Sequence, residues 1–260
     1  MSSTKPKILI YDVETCPIIA HVWSLWENNV GLNQIVSDWH ILSWAAKWYE
    51  APPSEVMYMD QQGIQPIEND KKLLRGIWKL LDEADIVITQ NGKHFDQKKL
   101  NARFILSGMK PPSPYRHIDT KQIASRHFGF TSNKLEYMTD KINKKYKKLQ
   151  HAKFPGHALW TACLANNPKA WAEMKKYNIH DVLATEELYT HMLPWENTVH
   201  FNVYTGKDME CNCGSTSLAK NGHAYTNTGK YQRYKCSACG SNYRDKAKVA
   251  RSGNTITKIT

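Results

Sequence analysis

The chain has no run approaching the roughly 18 consecutive apolar residues that a membrane span needs, so no membrane association is expected. Its opening residues, Met1 to Lys7, lead straight into strand-like sequence with no secretory signal, and a cytoplasmic location is expected. There is no internal repeat and no low-complexity stretch, which excludes a solenoid or a disordered scaffold. Cysteine is sparse outside one cluster: of six, Cys16 and Cys163 stand alone and read as ordinary thiols. The other four lie together near the C-terminal end, and without a secretory signal they argue for metal rather than disulfides. Acidic residues are outnumbered, 24 against 35 Lys and Arg, for a formal net charge of +11. The excess is local: residues 197–260 hold 10 Lys/Arg against 3 Asp/Glu, a net of +7, and residues 1–196 carry the remaining +4. That asymmetry points to a polyanionic partner, nucleic acid above all.

What the chain does have is 260 residues, 41% hydrophobic, with 9 Trp and 13 Tyr, enough for one large domain and a small one. The run Lys7-Ile8-Leu9-Ile10-Tyr11-Asp12-Val13-Glu14-Thr15 reads as a strand buried on both faces. Side chains two apart share a face, so Asp12 and Glu14 end the Ile8/Ile10 face side by side. Like charges that close repel unless a cation lies between them, and hard cations such as Mg²⁺ or Mn²⁺ take carboxylate oxygens. Alone the pair is weak, since on the order of one Asp-x-Glu is expected by chance in a chain this long.

Ala20–Trp23, His40–Trp48 and Val56–Met59 read as further strands, the last two joined through the turn at Ala51-Pro52-Pro53-Ser54. Asn69 is expected to cap a helix through about Glu83, with Leu73, Leu74, Ile77, Trp78, Leu80 and Leu81 on its apolar face. Asp85–Thr89 is a short buried strand, the loop Gln90-Asn91-Gly92-Lys93 follows, and a helix runs from near Phe95 to Ser107. His117–Asp119 is another strand. Ser132 or Asn133 can cap a helix over Leu135–Ile142, and Pro168 opens a long helix through Met192. Lys144 to Lys148 form a basic run that reads as a solvated face. A strand hairpin followed by β/α alternation predicts an α/β fold with a mixed sheet flanked by helices.

Asp96 falls in the first turn of its helix, where the dipole alone would favour an acid. Asp181 lies on the long helix, on the stripe Trp171, Met174, Asn178, Val182, Thr185, Leu188, and Tyr177 precedes it by one helical turn. Asp-x-Glu on a first strand, Asn-Gly-x-x-Phe-Asp at a strand-to-helix junction and Tyr-x-x-x-Asp on a late helix together resemble the DEDD superfamily of 3′–5′ exonucleases, which have an RNase H-like fold. The pattern is similar, more narrowly, to the branch related to the proofreading domain of family-B DNA polymerases, over roughly residues 7–192. The tyrosine subclass is implied. The position five before the last Asp, where the histidine subclass has His, is Lys176, and His180 points elsewhere on the helix.

The resemblance implies that Asp12, Glu14, Asp96 and Asp181 bind two Mg²⁺ or Mn²⁺ ions about 3.5–4 Å apart, clamping the attacking and leaving oxygens of an in-line displacement. Tyr177 would orient the attacking water or the scissile phosphate. Asn91 and Phe95 would support the terminal nucleotide, although Asn91 equally suits a left-handed turn with Gly92 and Phe95 equally suits a core.

Cys236-Ser237-Ala238-Cys239-Gly240 is a strong zinc-knuckle signature. Its partner, Cys211-Asn212-Cys213-Gly214, has one intervening residue where two are usual, which leaves Cys211 or His223 as the fourth ligand of one structural Zn²⁺. The module resembles zinc ribbons, including those at the ends of some transposases. Tyr231, Arg233, Tyr234, Lys235 and Tyr243 interleave aromatics with cations, and Tyr231, Arg233 and Lys235 are the expected nucleic-acid contacts. The expected domains are an RNase H-like exonuclease domain over 1–196, a linker over 197–208, a zinc ribbon over 209–246 and a basic tail over 247–260. The expected function is metal-dependent 3′–5′ exonuclease activity, on DNA rather than RNA and on single strands first. No polymerase domain is visible, so proofreading would act in trans with a polymerase or repair partner. The competing readings are a non-catalytic nucleic-acid adaptor on the same scaffold, and an RNase H-like endonuclease or recombinase.

Overall fold

The computed structural model describes residues 5–26, 29–149, 153–226 and 229–249. The chain divides into two compact units, Lys7–His191, and Met192–Thr260 with Met1–Pro6. Among the described residues no helix is long and apolar enough to cross a membrane.

The larger unit contains β1 (Ile8–Thr15), β2 (Ile19–Ala20), β3 (Ile35–Ser37), β4 (Ile41–Trp48), β5 (Met57–Asp60), α1 (Lys71–Glu83), β6 (Ile86–Thr89), α2 (Asp96–Leu106), β7 (Arg116–Asp119), α3 (Thr120–His127), α4 (Leu135–Ile142), α5 (Ala158–Leu164) and α6, which runs Pro168–Met192. Its main sheet has the order β5-β4-β1-β6-β7. β1 pairs antiparallel with β4 and parallel with β6, and β6 pairs parallel with β7, so β1 joins a hairpin half to a β/α half. This is the mixed, helix-flanked sheet of an RNase H-like fold.

The alternation of β1 decides the layers. Leu9, Tyr11 and Val13 enter a core with Leu73, Leu74, Ile77 and Leu81 of α1 and Leu100 and Phe104 of α2. The face carrying Asp12 and Glu14 is therefore the one turned away from α1 and α2. Parallel pairing of β1 with β6 is recorded for Ile8–Ile10, so both acids lie past it, at the carboxyl end of the strand, where open α/β sheets place ligands.

Three boundaries differ from expectation. α1 begins after Asp70, not Asn69, and neither side chain caps it. The Asp70 carboxylate accepts instead from the Ile41 amide at 3.0 Å and from Arg103 Nε and NH2, both at 2.7 Å. Of the strand expected over Ala20–Trp23, only Ala20 lies in β2, which begins one residue earlier at Ile19; the His21 amide still donates to the Gln34 carbonyl at 2.9 Å, and Val22 and Trp23 are in no strand. α4 starts after Lys134, whose amide donates to Ser132 Oγ at 3.3 Å, so the serine braces the turn without capping the helix.

Asp70 is 1% exposed, and removing it would leave the Arg103 guanidinium without its counterion. Asp70→Ala is expected to cost about 3–5 kcal/mol, read as a lowered urea midpoint with an unchanged slope.

The smaller unit holds α7 (Asn202–Thr205), β8 (Leu218–Thr226), β9 (Gly229–Cys236) and β10 (Asn242–Arg244), with the three strands antiparallel in the order β10-β9-β8. The expected linker over 197–208 is built in: Val199, Phe201 and Thr205 are buried. Asn212 ties it down, accepting from the Phe201 amide at 2.9 Å and donating to Val199 O at 2.8 Å. Of the basic tail expected over 247–260, residues 250–260 lie outside the described residues.

Candidate active site

The end of β1 is shaped by a register shift between Glu14 and Thr15 against β4. Such bulges re-aim side chains and end pairing beside functional sites. Asp12 meets α6 there: Asn178 Nδ2 donates to Asp12 Oδ2 at 2.6 Å, and Asn178 Oδ1 accepts from Ser43 Oγ at 3.1 Å. Glu14 meets α5, with Trp160 Nε1 donating to Glu14 Oε2 at 3.0 Å.

Asp96 arrives from the other side of the strand through a turn. Asn91 takes the left-handed conformation, with φ 66°. Gly92 follows because a Cβ there would fall 2.3 Å from Thr89 Oγ1. The buried Asp119 carboxylate accepts from the amides of Asn91 at 2.9 Å and Lys93 at 3.2 Å and caps α3 through Lys121 N. The turn delivers Asp96 to β1, where its Oδ1 accepts from the Val13 amide at 2.9 Å.

Asp181 comes in on α6, and here the structure adds a residue that the basic run concealed. Lys148 Nζ donates to Asp181 Oδ2 at 2.8 Å and lies 4.8 Å from the centre of the Tyr177 ring. Its side chain is 26% exposed, so this lysine turns inward from a run expected to face solvent. Tyr177 is buried and makes an edge contact with Trp160, ring centres 6.1 Å apart. His180 bonds to the Lys147 carbonyl and stacks edge-on against Tyr146, away from the acids.

The acids repel one another as the sequence implies. Burial, and then the Asp181 charge, push the Asp12 carboxyl from 3.8 up to about 7, against the pull of Lys148 and Asn178. Burial raises Glu14 well above the ordinary carboxylate range, with Asp12 and Asp181 adding to it. Asp96 is raised by burial and by Asp12. For Lys148, burial opposes the charge, but Asp181 and Tyr177 outweigh it and hold the ammonium protonated. Burial, followed by Asp181, raises the Tyr177 phenol, which stays neutral and a hydrogen-bond donor. Carboxylate oxygens on the half-buried Asp12 and Glu14 and the buried Asp96 and Asp181 that repel one another are the donor type a hard divalent cation takes. The residues therefore fit such ions, and Lys148 supplies the positive charge present in the chain itself.

Lys148→Met removes that charge. The metal-free variant is expected to melt several degrees below the parent, and added Mg²⁺ should raise its midpoint by more than it raises the parent's. Thermal melts with and without Mg²⁺ check both.

Asn91 and Phe95 flank the same turn. Asn91 Oδ1 accepts from Lys121 Nζ at 3.2 Å, and the Phe95 ring is 39% exposed. Sequence reasoning missed Trp160 and Lys148 and read Asn178 as core; a Trp on a short helix and a polar residue on an apolar stripe carried no signal of their own.

In the smaller unit the four cysteines converge. Cys211, Cys213, Cys236 and Cys239 have sulfurs all within 4.8 Å of one another, the group so placed among the described residues. Cys211 and Cys239 sulfurs are 3.5 Å apart and those of Cys213 and Cys236 3.7 Å. Disulfides need about 2.05 Å, whereas four thiolates about 2.3 Å from a tetrahedral Zn²⁺ lie about 3.8 Å apart. Cys211 is thus in the cluster and His223, paired across β8–β9 with Gln232, is not. Gly214 and Gly240 take φ of 81° and 82°, the left-handed turns that end each knuckle. The Tyr243 hydroxyl donates to Cys211 Sγ at 3.2 Å. Although burial would raise it, the amides of Cys239 and Ala238 and the thiols of Cys211 and Cys213 bring Cys236 down to about 6. Lys235 is exposed, and Arg233 Nε is engaged by the Asn221 carbonyl at 2.7 Å. Tyr231 does not offer its face to solvent: it is buried, with the Arg244 guanidinium 4.2 Å from its ring centre.

No curated protein matches the chain. Among the solved structures that match is the family B DNA polymerase from the hyperthermophilic archaeon Pyrobaculum calidifontis, with a TM-score of 0.55 and 13% identity over 88% of this chain. The match takes in 32% of that polymerase, so this chain spans about a third of its length. At that identity the likeness is one of fold. A family model described as RNase_H superfamily matches residues 54–193. That segment is more than half of the chain and carries β6, α2 and α6, the elements that bring Asp96, Tyr177 and Asp181 to the first strand: the chain belongs to the RNase H superfamily.

Proposed function

We propose that the protein is a metal-dependent 3′–5′ exonuclease of the tyrosine subclass, acting on nucleic acid and on single-stranded DNA first. Membership in a nuclease superfamily supports phosphodiester hydrolysis. The observation that carries the finer reading is that Tyr177 and Asp181 lie one turn apart on α6, the helix whose Asn178 bonds Asp12 at 2.6 Å, while Trp160 bonds Glu14 and meets the Tyr177 ring edge-on, and Asp96 bonds the Val13 amide between the two first-strand acids.

Asp12, Glu14, Asp96 and Asp181 hold two divalent ions, which when bound activate the attacking water and stabilise the leaving 3′-oxygen. Asn178 and Trp160 fix the carboxylates of Asp12 and Glu14, and the Val13 amide fixes that of Asp96. Tyr177 keeps its proton and donates to the water or to a non-bridging phosphate oxygen. Lys148, at 2.8 Å from Asp181 Oδ2, places an ammonium beside the carboxylates that would hold the ions, where it can pair with a substrate phosphate. Phe95 stacks on the terminal base, and the turn at Asn91 supports the nucleotide. The cysteine cluster holds a structural Zn²⁺ that folds a nucleic-acid-binding ribbon, with Lys235 and Arg233 toward phosphates.

The test is a panel of 3′- and 5′-labelled DNA and RNA strands and a closed DNA circle, with Mg²⁺ and Mn²⁺ separately. An exonuclease releases mononucleotides from the 3′ label, shortens the 5′-labelled strand stepwise and leaves the circle intact. A nicked circle would identify an endonuclease. No cleavage with either ion would leave a binding adaptor.

A further inference from the structure

Within the basic run, Lys144, Lys145 and Lys147 are exposed, whereas Lys148 is half-buried and turns in to Asp181. The backbone imposes that turn, because the segment is laid against α6 at three points. Asn143 Nδ2 donates to the Ala184 carbonyl at 2.9 Å and to the Tyr146 carbonyl at 2.8 Å. His180 bonds to the Lys147 carbonyl. The third point is one carboxylate that gathers three successive amides. Lys144 N donates to Glu187 Oε1 at 2.7 Å, Lys145 N to Oε1 at 3.0 Å and Tyr146 N to Oε2 at 2.7 Å. Past this anchor, the Lys148 amide donates to Thr139 Oγ1 at 3.1 Å.

Successive amides aimed at one point make a concave anion site, and a carboxylate that accepts several of them is favoured in its charged form. Burial would raise Glu187, but these amides bring its carboxyl below the ordinary range. Its side chain is 18% exposed, so little water competes for the three donors. An acid beside a lysine-rich run would otherwise pair with an ammonium; here it is spent on the backbone, and the ammonium goes to Asp181 instead. We propose that Glu187 is a positioning residue for the candidate site: by fixing the amides of residues 144–146 on α6, it sets the course of the chain so that Lys148, two residues further on, points its ammonium at Asp181. Glu187 and Asp181 are six residues apart on one helix, so a rigid element carries both the anchor and the target. The place of Lys148 follows from these bonds alone, and its effect on cleavage rests on the nuclease reading.

Trace acylation of the full, metal-free chain with acetic anhydride, read residue by residue by mass spectrometry, compares lysines within one molecule. In the parent, Lys148 should label about 10-fold more slowly than Lys144, because its ammonium is paired and partly shielded. In Glu187→Ala, Lys148 should come to within about twofold of Lys144, while Lys47, 1% exposed, stays unlabelled and reports an intact fold. Lys148 protected in the variant as in the parent overturns the proposal. Should Glu187→Ala not fold, Glu187→Gln, which keeps one acceptor oxygen, carries the same test, and full protection of Lys148 in it has the same meaning. Cleavage separates positioning from mere support. Glu187→Ala should lower kcat/KM about 10-fold in the parent but by less than about twofold when Lys148→Met is already present. Equal losses in both backgrounds would make Glu187 a structural residue only. Failure of the unmutated chain to cleave any strand would sink the nuclease reading and leave the labelling result standing.

Discussion

Asp12→Asn is expected to lower metal-dependent release of nucleotides from a 3′-labelled strand by about 10³-fold or more while making the metal-free protein harder to unfold. The first effect follows from the charge stabilisation that bound divalent ions supply, several kcal/mol each, at tenfold in rate per 1.36 kcal/mol. The second follows from the fold. The Asp12 carboxyl titrates at about 7 in the folded chain against an ordinary 3.8. Between those values the folded state keeps a proton that the unfolded state has released. The contribution of Asp12 to the stability of the metal-free protein is therefore fully present below about pH 4 and is lost as pH rises to about 7. Asparagine carries no charge to repel, and its oxygen can still accept from Asn178. Above neutral pH the variant should gain on the order of 2 kcal/mol, allowing for the part exposure of this strand end. Chemical denaturation at pH 4 and pH 8, with and without Mg²⁺, separates the terms. The parent should fall between the two pH values and recover with Mg²⁺, and the variant should do less of both. A variant that loses activity by unfolding, or keeps activity within tenfold, would remove Asp12 from the metal site.

The double role of these acids explains why part of the site was legible and part was not. Asp12 and Glu14 could be read because a strand has a period of two, and because acids at the end of a buried face need a reason to be there. Tyr177 and Asp181 could be read because a helical turn places them together. Their convergence depends on contacts 83 to 166 residues apart in sequence, such as Asp96 to the Val13 amide and Asn178 to Asp12, which no local pattern encodes. Lys148 was hidden by its neighbours: in a run of lysines nothing local marks the one that turns inward. Asn178 was hidden by the apolar stripe it interrupts. Asp70 shows the same limit for the fold, since a residue placed to cap a helix spends its carboxylate on Arg103 and the Ile41 amide instead. Propensity states what a side chain can do locally, and tertiary partners decide which of those options is used.

The second large effect belongs to the cysteines. Cys236→Ser, or removal of bound metal by a chelator, is expected to unfold the smaller unit and leave the Lys7–His191 unit folded. The strands of the smaller unit bury little: β8 is largely exposed along its length, and the buried side chains include Val199, Phe201 and Tyr231 beside Cys211 and Cys236. A module of this size seldom supplies enough apolar burial to fold unaided. In such modules the binding free energy of zinc, about 10–16 kcal/mol in zinc-finger peptides at neutral pH, is folding free energy. Burial would raise the Cys236 thiol, but the amides of Cys239 and Ala238 point at its sulfur and lower it, as a metal-ligating thiolate needs. Serine at 236 offers a far poorer ligand and breaks the set of four. Hydrogen exchange should then show loss of amide protection across β8 and β9, metal analysis should fall from one Zn²⁺ per chain toward none, and nucleic-acid affinity should fall with a shallower salt slope as the basic strands lose their frame. Protection should persist in β1, β4 and β6, whose ladders belong to the other unit. If β8 and β9 stay protected in the serine variant, the sulfur cluster is not what folds the module, and its basic strands must be held by their own packing.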